Sequence, residues 1–307
     1  MAAPNHTADQ VIQIERLQPF SLEHTLSCGQ TFRWECEGGW WFGIVGNTAI
    51  RVRQEGRKIR FSGADPAFVT WYFSLDMDLR EVLGTITRDP VIREAVHRCR
   101  GLRIVRQPAW ECLASYIGAT YSNIPMVRRR VALLSEAFGE TQEFEERRVY
   151  GFPSPASIAE APLEMLARCK MGYRAPYLKK TAMKVMDDPS WEERIRALPY
   201  PEARQQLQEF EGIGKKAADC VLLFAFQKYE SFPVDVWIHR IMQKCYGQGS
   251  SGPLTDRGYE QIGTFAREYF GKYAGYAQEY LYCTREQDLG ELRSPSPSSA
   301  CRQSDLR

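Results

Sequence analysis

Lys216, Cys220 and Asp235 are the residues whose types and spacing best suit covalent chemistry in this 307-residue chain. They fall within LQEFEGIGKKAADCVLLFAFQKYESFPVDVWIHR, running from Leu207 to Arg240. A primary amine can attack an electrophilic carbon and form a Schiff base, provided it is unprotonated. The spacing predicts a short helix ending at Phe210, a tight turn through Glu211-Gly212-Ile213-Gly214, and an apolar helix from about Lys215 to Phe226. Gly212 and Gly214 suit a turn that needs positive φ. With no side chains in the way, the turn's N–H groups and the next helix N-terminus can receive a phosphate. Lys216 sits in the first helical turn, where the macrodipole disfavours an ammonium, and partial burial would depress its pKa further. Cys220 lies at i+4 on the same face, with Leu223, whereas Lys215 and Asp219 fall on another. Pro233-Val234-Asp235 reads as an extended segment closing on an N-cap, with a helix from Val236. Two plainer readings stay open: both lysines as phosphate clamps, and Asp235 as a helix cap alone.

The elements that must position these residues fall into two groups. From Phe20, short alternating β-formers (WWFGIVG, TAIRVRQ, RKIRFSG) are broken by Gly38-Gly39, Gly46-Asn47 and Glu55-Gly56, the pattern of an antiparallel meander. Its aromatics Trp34, Trp40, Trp41 and Phe42 read as core. From Pro66 the pattern turns helical, with GLRIVRQ as a strand or extended link and Tyr150 to Pro155 as a turn-rich break. The fold class is therefore α+β: a β-rich module over residues 19–107 and an all-helical body over 108–288. Residues 1–18 read as an extension, and the Pro/Ser-rich stretch 289–307 as a disordered tail.

Composition bounds the rest. Apolar residues make up 44% and charged residues 25%, the balance of a globular chain, and no apolar run approaches a membrane span. No secretory leader is legible, which points to a cytoplasmic, nucleoid or nuclear protein rather than a secreted one. The nine cysteines never form Cys-x-x-Cys, so we expect reduced thiols and neither a metal site nor a cofactor. A net charge of +2 does not announce nucleic acid. Two arginine runs, Arg98 to Arg106 and Arg128 to Arg130, could bind it or could be solvated faces, with Glu143, Glu145 and Glu146 balancing them elsewhere.

GIGKKAADC followed by PVD resembles the helix-hairpin-helix and Gly/Pro-Asp motif of base-excision DNA glycosylases. With Lys, Cys and Asp together, the chain is most similar to the 8-oxoguanine DNA glycosylase/AP-lyase family, from about Pro19 to Glu286. The resemblance implies Lys216 as nucleophile and Asp235 as the carboxylate that stabilises charge on the sugar. Ser27-Cys28-Gly29-Gln30-Thr31-Phe32-Arg33-Trp34 matches the family's N-terminal signature. It implies that the Gly29 carbonyl accepts the N7–H of the oxidised base; from the residues alone, Gly29 could equally be a turn glycine. In GYAQEYLY, Gln278 would read the base edge and Tyr282 would stack opposite Cys220, although Tyr replaces the Phe of animal enzymes. Without the resemblance, those aromatics read as core.

The partner implied is damaged double-stranded DNA, bound by a monomer without a membrane. Gly212 and Gly214 would contact phosphate. Tyr121, Asn123, Tyr173 and Arg174 would fill the gap and read the opposite strand. Met126 stands where the animal enzymes have an arginine, so we expect weaker preference for cytosine opposite the lesion than in those enzymes. Trp237 replaces a phosphate-contacting histidine, which puts that contact in doubt; His239 reads as a surface or packing residue. The closely spaced cysteines of the iron–sulfur branch are missing. Two alternatives remain: a monofunctional alkylpurine DNA glycosylase, which would not use the lysine, and a non-catalytic helix-hairpin-helix DNA-binding protein, which would have no reason to gather Lys216, Cys220 and Asp235.

Overall fold

A computed structural model describes residues 9–15, 18–250 and 252–286. The tail read from residue 289 lies outside the described residues, as does most of the stretch read as an extension.

The meander forms as its alternation requires. Strands β1 (Gln10–Gln13), β2 (Trp34–Glu37), β3 (Trp40–Val45), β4 (Thr48–Glu55) and β5 (Lys58–Ser62) make one antiparallel sheet in the order β1-β5-β4-β3-β2. β1 pairs with β5 in the register Gln10 to Phe61 through Gln13 to Lys58, so part of the supposed extension is a sheet edge. A four-residue strand with two polar ends carries too little alternation to be seen before its partner is known. Trp34 is buried in the sheet core, and its indole N–H donates to Tyr72 Oη at 2.8 Å. Trp40, Trp41 and Phe42 are only half-buried. Arginines cover two of them: Arg51 lies 4.7 Å from the Trp40 ring centroid and Arg147 lies 4.1 Å from that of Phe42.

The helices are α1 (Leu22–Ser27), α2 (Pro66–Tyr72), α3 (Leu79–Ile86), α4 (Pro90–Arg98), α5 (Ala109–Ala119), α6 (Ile124–Phe138), α7 (Pro155–Glu160) and α8 (Leu163–Leu166). There follow α9 (Ala175–Asp187), α10 (Trp191–Ala197), α11 (Tyr200–Leu207), α12 (Lys215–Ala225), α13 (Val236–Tyr246), α14 (Asp256–Phe270) and α15 (Ala274–Cys283). The sheet has a small core of its own with α1 and α2. The larger core gathers α5, α12, α13 and α15, and it also takes in α3 and α4. The side chains of α3 and α4 thus pack into the same core as the helical body. GLRIVRQ is an extended link, not a strand, and Gln30 pins it: its carboxamide donates to Arg103 O and accepts from Val105 N–H.

A second hairpin, β6 (Thr141–Phe144) with β7 (Arg147–Tyr150), was not expected. Its turn residues Glu145 and Glu146 both have positive φ, and Glu145 pairs with Arg51 of β4 at 2.9 Å. The acidic run is therefore a strap across the sheet. Nor are the arginine runs simply solvated. Arg103 is fully buried, donating to Ser74 O and Met77 O, and Arg130 is buried beneath the loop after α5.

Cys99 and Cys283 form a disulfide, contrary to the expected reduced thiols. Packing of α15 against α4 brings the two ends together, a juxtaposition that 184 residues of separation hide. His24 lies beside the bridge. No helix among the described residues is long and apolar enough to cross a membrane.

Candidate active site

A cleft of about 1000 Å³ opens between the sheet-side loop after α1, the N-terminal ends of α6, α12 and α13, and the face of α15. Gly29, Asn123, Lys216, Cys220, Asp235, Gln278 and Tyr282 all line it. Their gathering depends on the α11–α12 turn. Gly212 has φ +85°, so a side chain there would be strained, and an added Cβ would also crowd Tyr177 at 3.1 Å. Gly214 differs from expectation: it caps α12 with extended backbone at φ −87°. A Cβ there would meet nothing within 4 Å, so the exposed backbone leaves the first N–H groups of α12 open to an anion.

The opposite side of α12 is locked. Asp219 is buried and accepts from Tyr200 Oη at 2.7 Å and Tyr259 Oη at 2.5 Å, with Arg204 Nε at 3.1 Å. Lys215 turns away to Glu260 at 3.1 Å. That arrangement points Lys216 into the cleft, its Nζ 5.2 Å from the Tyr116 ring centroid. The crowd of protein atoms around the amine pushes it down, but Cys220, Asp235 and Glu279 push it up, and the net direction is upward. The lysine side chain is exposed to solvent entering the cleft, and although burial is the largest single influence, the three neighbours together outweigh it. The expected depression is thus reversed: Lys216 rests as an ammonium. Burial pushes the Cys220 thiol up to about 11, leaving it protonated at neutral pH. Asp235 is the N-cap of α13, its Oδ1 accepting from Ile238 N–H at 2.8 Å, and it also faces the lysine. Both readings of Asp235, cap and carboxylate partner, hold together.

The base-pocket residues converge from distant elements. Gly29 has φ +100°, and a Cβ there would stand 2.6 Å from Ile124 Cδ1 and 3.7 Å from Tyr282 Cε1. The rest of its signature is scaffold: Gln30 pins the link, Phe32 packs edge-on to Tyr116, and Arg33 pairs with Glu111 of α5 at 3.4 Å. Gln278 is buried and its Oε1 has no hydrogen-bond partner. Such an orphan acceptor costs free energy unless a ligand's donor meets it. Tyr282 is half-buried, with Arg285 stacked 4.4 Å from its ring centroid.

Around the cleft mouth the strand-facing residues separate. Tyr121 is 95% exposed and holds φ +47°, a strained backbone presenting a bare aromatic ring. Asn123 caps α6, accepting from Met126 N–H at 3.0 Å, and stays exposed. Tyr173 is exposed and Trp237 half-exposed. Arg174 is not at the surface: it is buried, donating to Thr120 O under the Tyr173 ring. Its buried guanidinium supports the 120–123 loop from below, as does that of Arg130 through Gly118 O and Ser122 Oγ, both at 2.7 Å. His239 is buried, a packing residue. Sequence reasoning missed Tyr116 and Glu279, and it read Arg130 only as part of a basic run, not as a buried support. Only Glu279 carried a visible signal, a charge on the otherwise apolar inner face of YAQEYLY.

Comparison with known proteins bears directly on this geometry. The 8-oxoguanine DNA glycosylase N-terminal domain matches residues 11–113, and the HhH-GPD superfamily base excision DNA repair protein matches residues 130–257. A probable N-glycosylase/DNA lyase of Methanothermobacter thermautotrophicus is 31% identical over 234 residues, covering 70% of this chain and 72% of that protein. The apo 8-oxoguanine glycosylase/lyase of Clostridium acetobutylicum superposes with a TM-score of 0.83 at 30% identity, covering 90% of this chain and 95% of that one. The same enzyme bound to duplex DNA with cytosine opposite 8-oxoguanine gives 0.81 at 32%, covering 87% and 92%. The N-terminal match begins inside β1, in agreement with that strand's place in the sheet. Sheet, hairpin and cleft together make this chain a member of the 8-oxoguanine DNA glycosylase/AP-lyase family, within the helix-hairpin-helix Gly/Pro-Asp superfamily.

Proposed function

We infer that the protein is a bifunctional DNA glycosylase that excises 8-oxoguanine from duplex DNA and cleaves the abasic strand by β-elimination, in base-excision repair. The observation that carries this reading is the shared cleft: an amine, a capped carboxylate and a buried, unpartnered carboxamide face one space. The target base must leave the stack to reach that space. Gln278 Oε1 reads its Watson–Crick edge, Cys220 and Tyr282 hold its faces, and the Gly29 carbonyl accepts N7–H. Guanine presents a lone pair there and is repelled. As the C1′–N9 bond lengthens, positive charge grows on the sugar and Asp235 stabilises it. Lys216 adds to C1′, and the Schiff base permits loss of the 3′ phosphate. Gly212 and Gly214 grip phosphate without reading sequence. Tyr121 fills the gap left by the flipped base, with Asn123 and Tyr173 beside it. Arg174 acts from beneath, and Trp237 flanks the path of the strand. The protein works as a monomer on damaged DNA in the nucleoid or nucleus.

Borohydride trapping on a duplex carrying one 8-oxoguanine, with wild type and Lys216→Gln, tests the reading. A covalent adduct that vanishes in the variant is the expected result. Base release without an adduct would favour the monofunctional alternative, and neither product would put the substrate wrong.

A further inference from the structure

Lys216 must lose a proton before it can attack, and neither of its sequence-assigned neighbours is free to take it. Cys220 already carries its own proton at neutral pH. Asp235 has to remain an anion to stabilise the sugar, and its Oδ1 is held by the α13 cap. A second carboxylate shares the cleft. Glu279, next to Gln278 on α15, is 3% exposed, yet it lines the same space. No arginine or lysine, Lys216 included, comes within 4 Å of its carboxylate oxygens among the described residues. A proton moving from Lys216 to Glu279 therefore crosses by way of one water in the cleft. The carboxylate's one side-chain partner is Cys28, whose Sγ lies 3.5 Å from Glu279 Oε2 and equally far from Thr25 O. A single S–H serves one of these acceptors at a time.

We propose that Glu279 is the proton acceptor for the Lys216 ammonium, a second carboxylate working in the reaction beside Asp235. This inference rests on the glycosylase/lyase reading. The proton count closes without any added reactant. Of the three protons on the Lys216 ammonium, one passes through that water to the Glu279 carboxylate and from there to N9 of the departing base. That base leaves with the electron pair of the broken C1′–N9 bond. The freed lone pair on Nζ forms the new bond to C1′. A second proton goes to O4′ as the sugar ring opens, and the third remains on the iminium nitrogen. Charge is +1 before and after.

The surroundings of Glu279 suit that work. Burial and the facing Asp235 raise its carboxyl, while the Cys28 thiol, Arg285 and Lys216 pull it back, and the balance sits at about 7. Tyr116 and Cys220 also face it and stay protonated, as does Tyr282 on its own helix. A general base is most effective when its pKa lies near the working pH.

The test is the single-turnover rate of borohydride-trapped adduct from about pH 5.5 to about pH 8.5, on a duplex with 8-oxoguanine and on one with a preformed abasic site. Wild type should rise to a plateau with a midpoint near 7. Glu279→Gln should lose that inflection and fall about 100-fold at the plateau, the scale of a lost general base. Its affinity for a duplex with a non-hydrolysable 8-oxoguanine analogue should stay within about threefold, well under the roughly 1.4 kcal/mol of a tenfold change. Cys28→Ala removes a donor that favours the anion, so its midpoint should move upward. Wild-type rate and midpoint in Glu279→Gln would overturn the proposal. If that variant does not fold, an unmoved midpoint in Cys28→Ala overturns it instead. Failure of wild type on both duplexes would bring down the functional reading and this one with it; adduct on both with an indifferent Glu279→Gln brings down only this one.

Discussion

Residues in the cleft divide by whether their chemistry needs neighbours. Gly29 is a case in which absence of a side chain is the function. Its φ of +100° strains any other residue, and a Cβ would press on Ile124 and crowd Tyr282. Backbone strain of this kind costs about 1–3 kcal/mol. Gly29→Ala should therefore slow excision of 8-oxoguanine by roughly 10- to 100-fold, at about 1.4 kcal/mol per factor of ten. The comparison to make is single-turnover excision against cleavage at a preformed abasic site. The second reaction needs no base in the pocket and should lose much less. Lys216 is the opposite case. Its place in the first turn of α12 predicted a depressed pKa, and the carboxylates and thiol around it reverse the sign. No property of residues 215 and 216 alone could have shown that.

Among the elements, the 120–123 loop decides what happens on the opposite strand. Arg130 and Arg174 hold it from below, and Tyr121 and Asn123 project from it. Met126 occupies the first turn of α6, the position the resemblance to animal enzymes gives to an arginine, and Arg174 is buried. A bidentate arginine on a base edge gives about 1–3 kcal/mol of discrimination. Without an exposed arginine at either of these two positions, rates for 8-oxoguanine opposite cytosine and opposite adenine should lie within about tenfold of each other. Steady, many-fold preference for cytosine in paired excision assays would show that Asn123 and Tyr173 suffice. The α11–α12 turn was easier to read. Glycines, an apolar run and a cap residue fixed its outline, with the helix beginning at Lys215 as expected. The β6–β7 hairpin was not read, because its acidic residues looked like a surface run until Arg51 supplied their partner.

At the scale of the whole molecule, α15 is where the chain closes on itself. It carries Gln278, Glu279 and Tyr282, packs on α4, α13 and α14, and ends in the Cys99–Cys283 bridge. A cross-link over 184 residues removes about 5 kcal/mol of chain entropy from the unfolded state in the simplest treatment. Reduction with dithiothreitol, or Cys99→Ser, should lower stability by about 2–5 kcal/mol, visible as a drop in Tm on the order of 5–15 °C. An unchanged Tm on reduction would mean that packing alone holds α15.

Local signals determined much of this protein before any fold was known. The positive-φ Gly212, the N-cap at Asp235, the i,i+4 pairs Lys216–Cys220 and Gln278–Tyr282, and the meander's alternation each depend on a few neighbouring residues, so the sequence displays them directly. They were enough to mark the α+β class, the hairpin and the family resemblance. What needed the tertiary structure is every property set by atoms far apart in the chain. β1 becomes a strand only against β5, Arg103 and Arg130 become supports only under their carbonyls, and Cys99 meets Cys283 only when α4 and α15 pack. The charge states of Lys216 and Glu279 belong with these. Coulomb and desolvation effects act through space, and the groups that set them come from α5, α12, α13, α15 and the loop after α1.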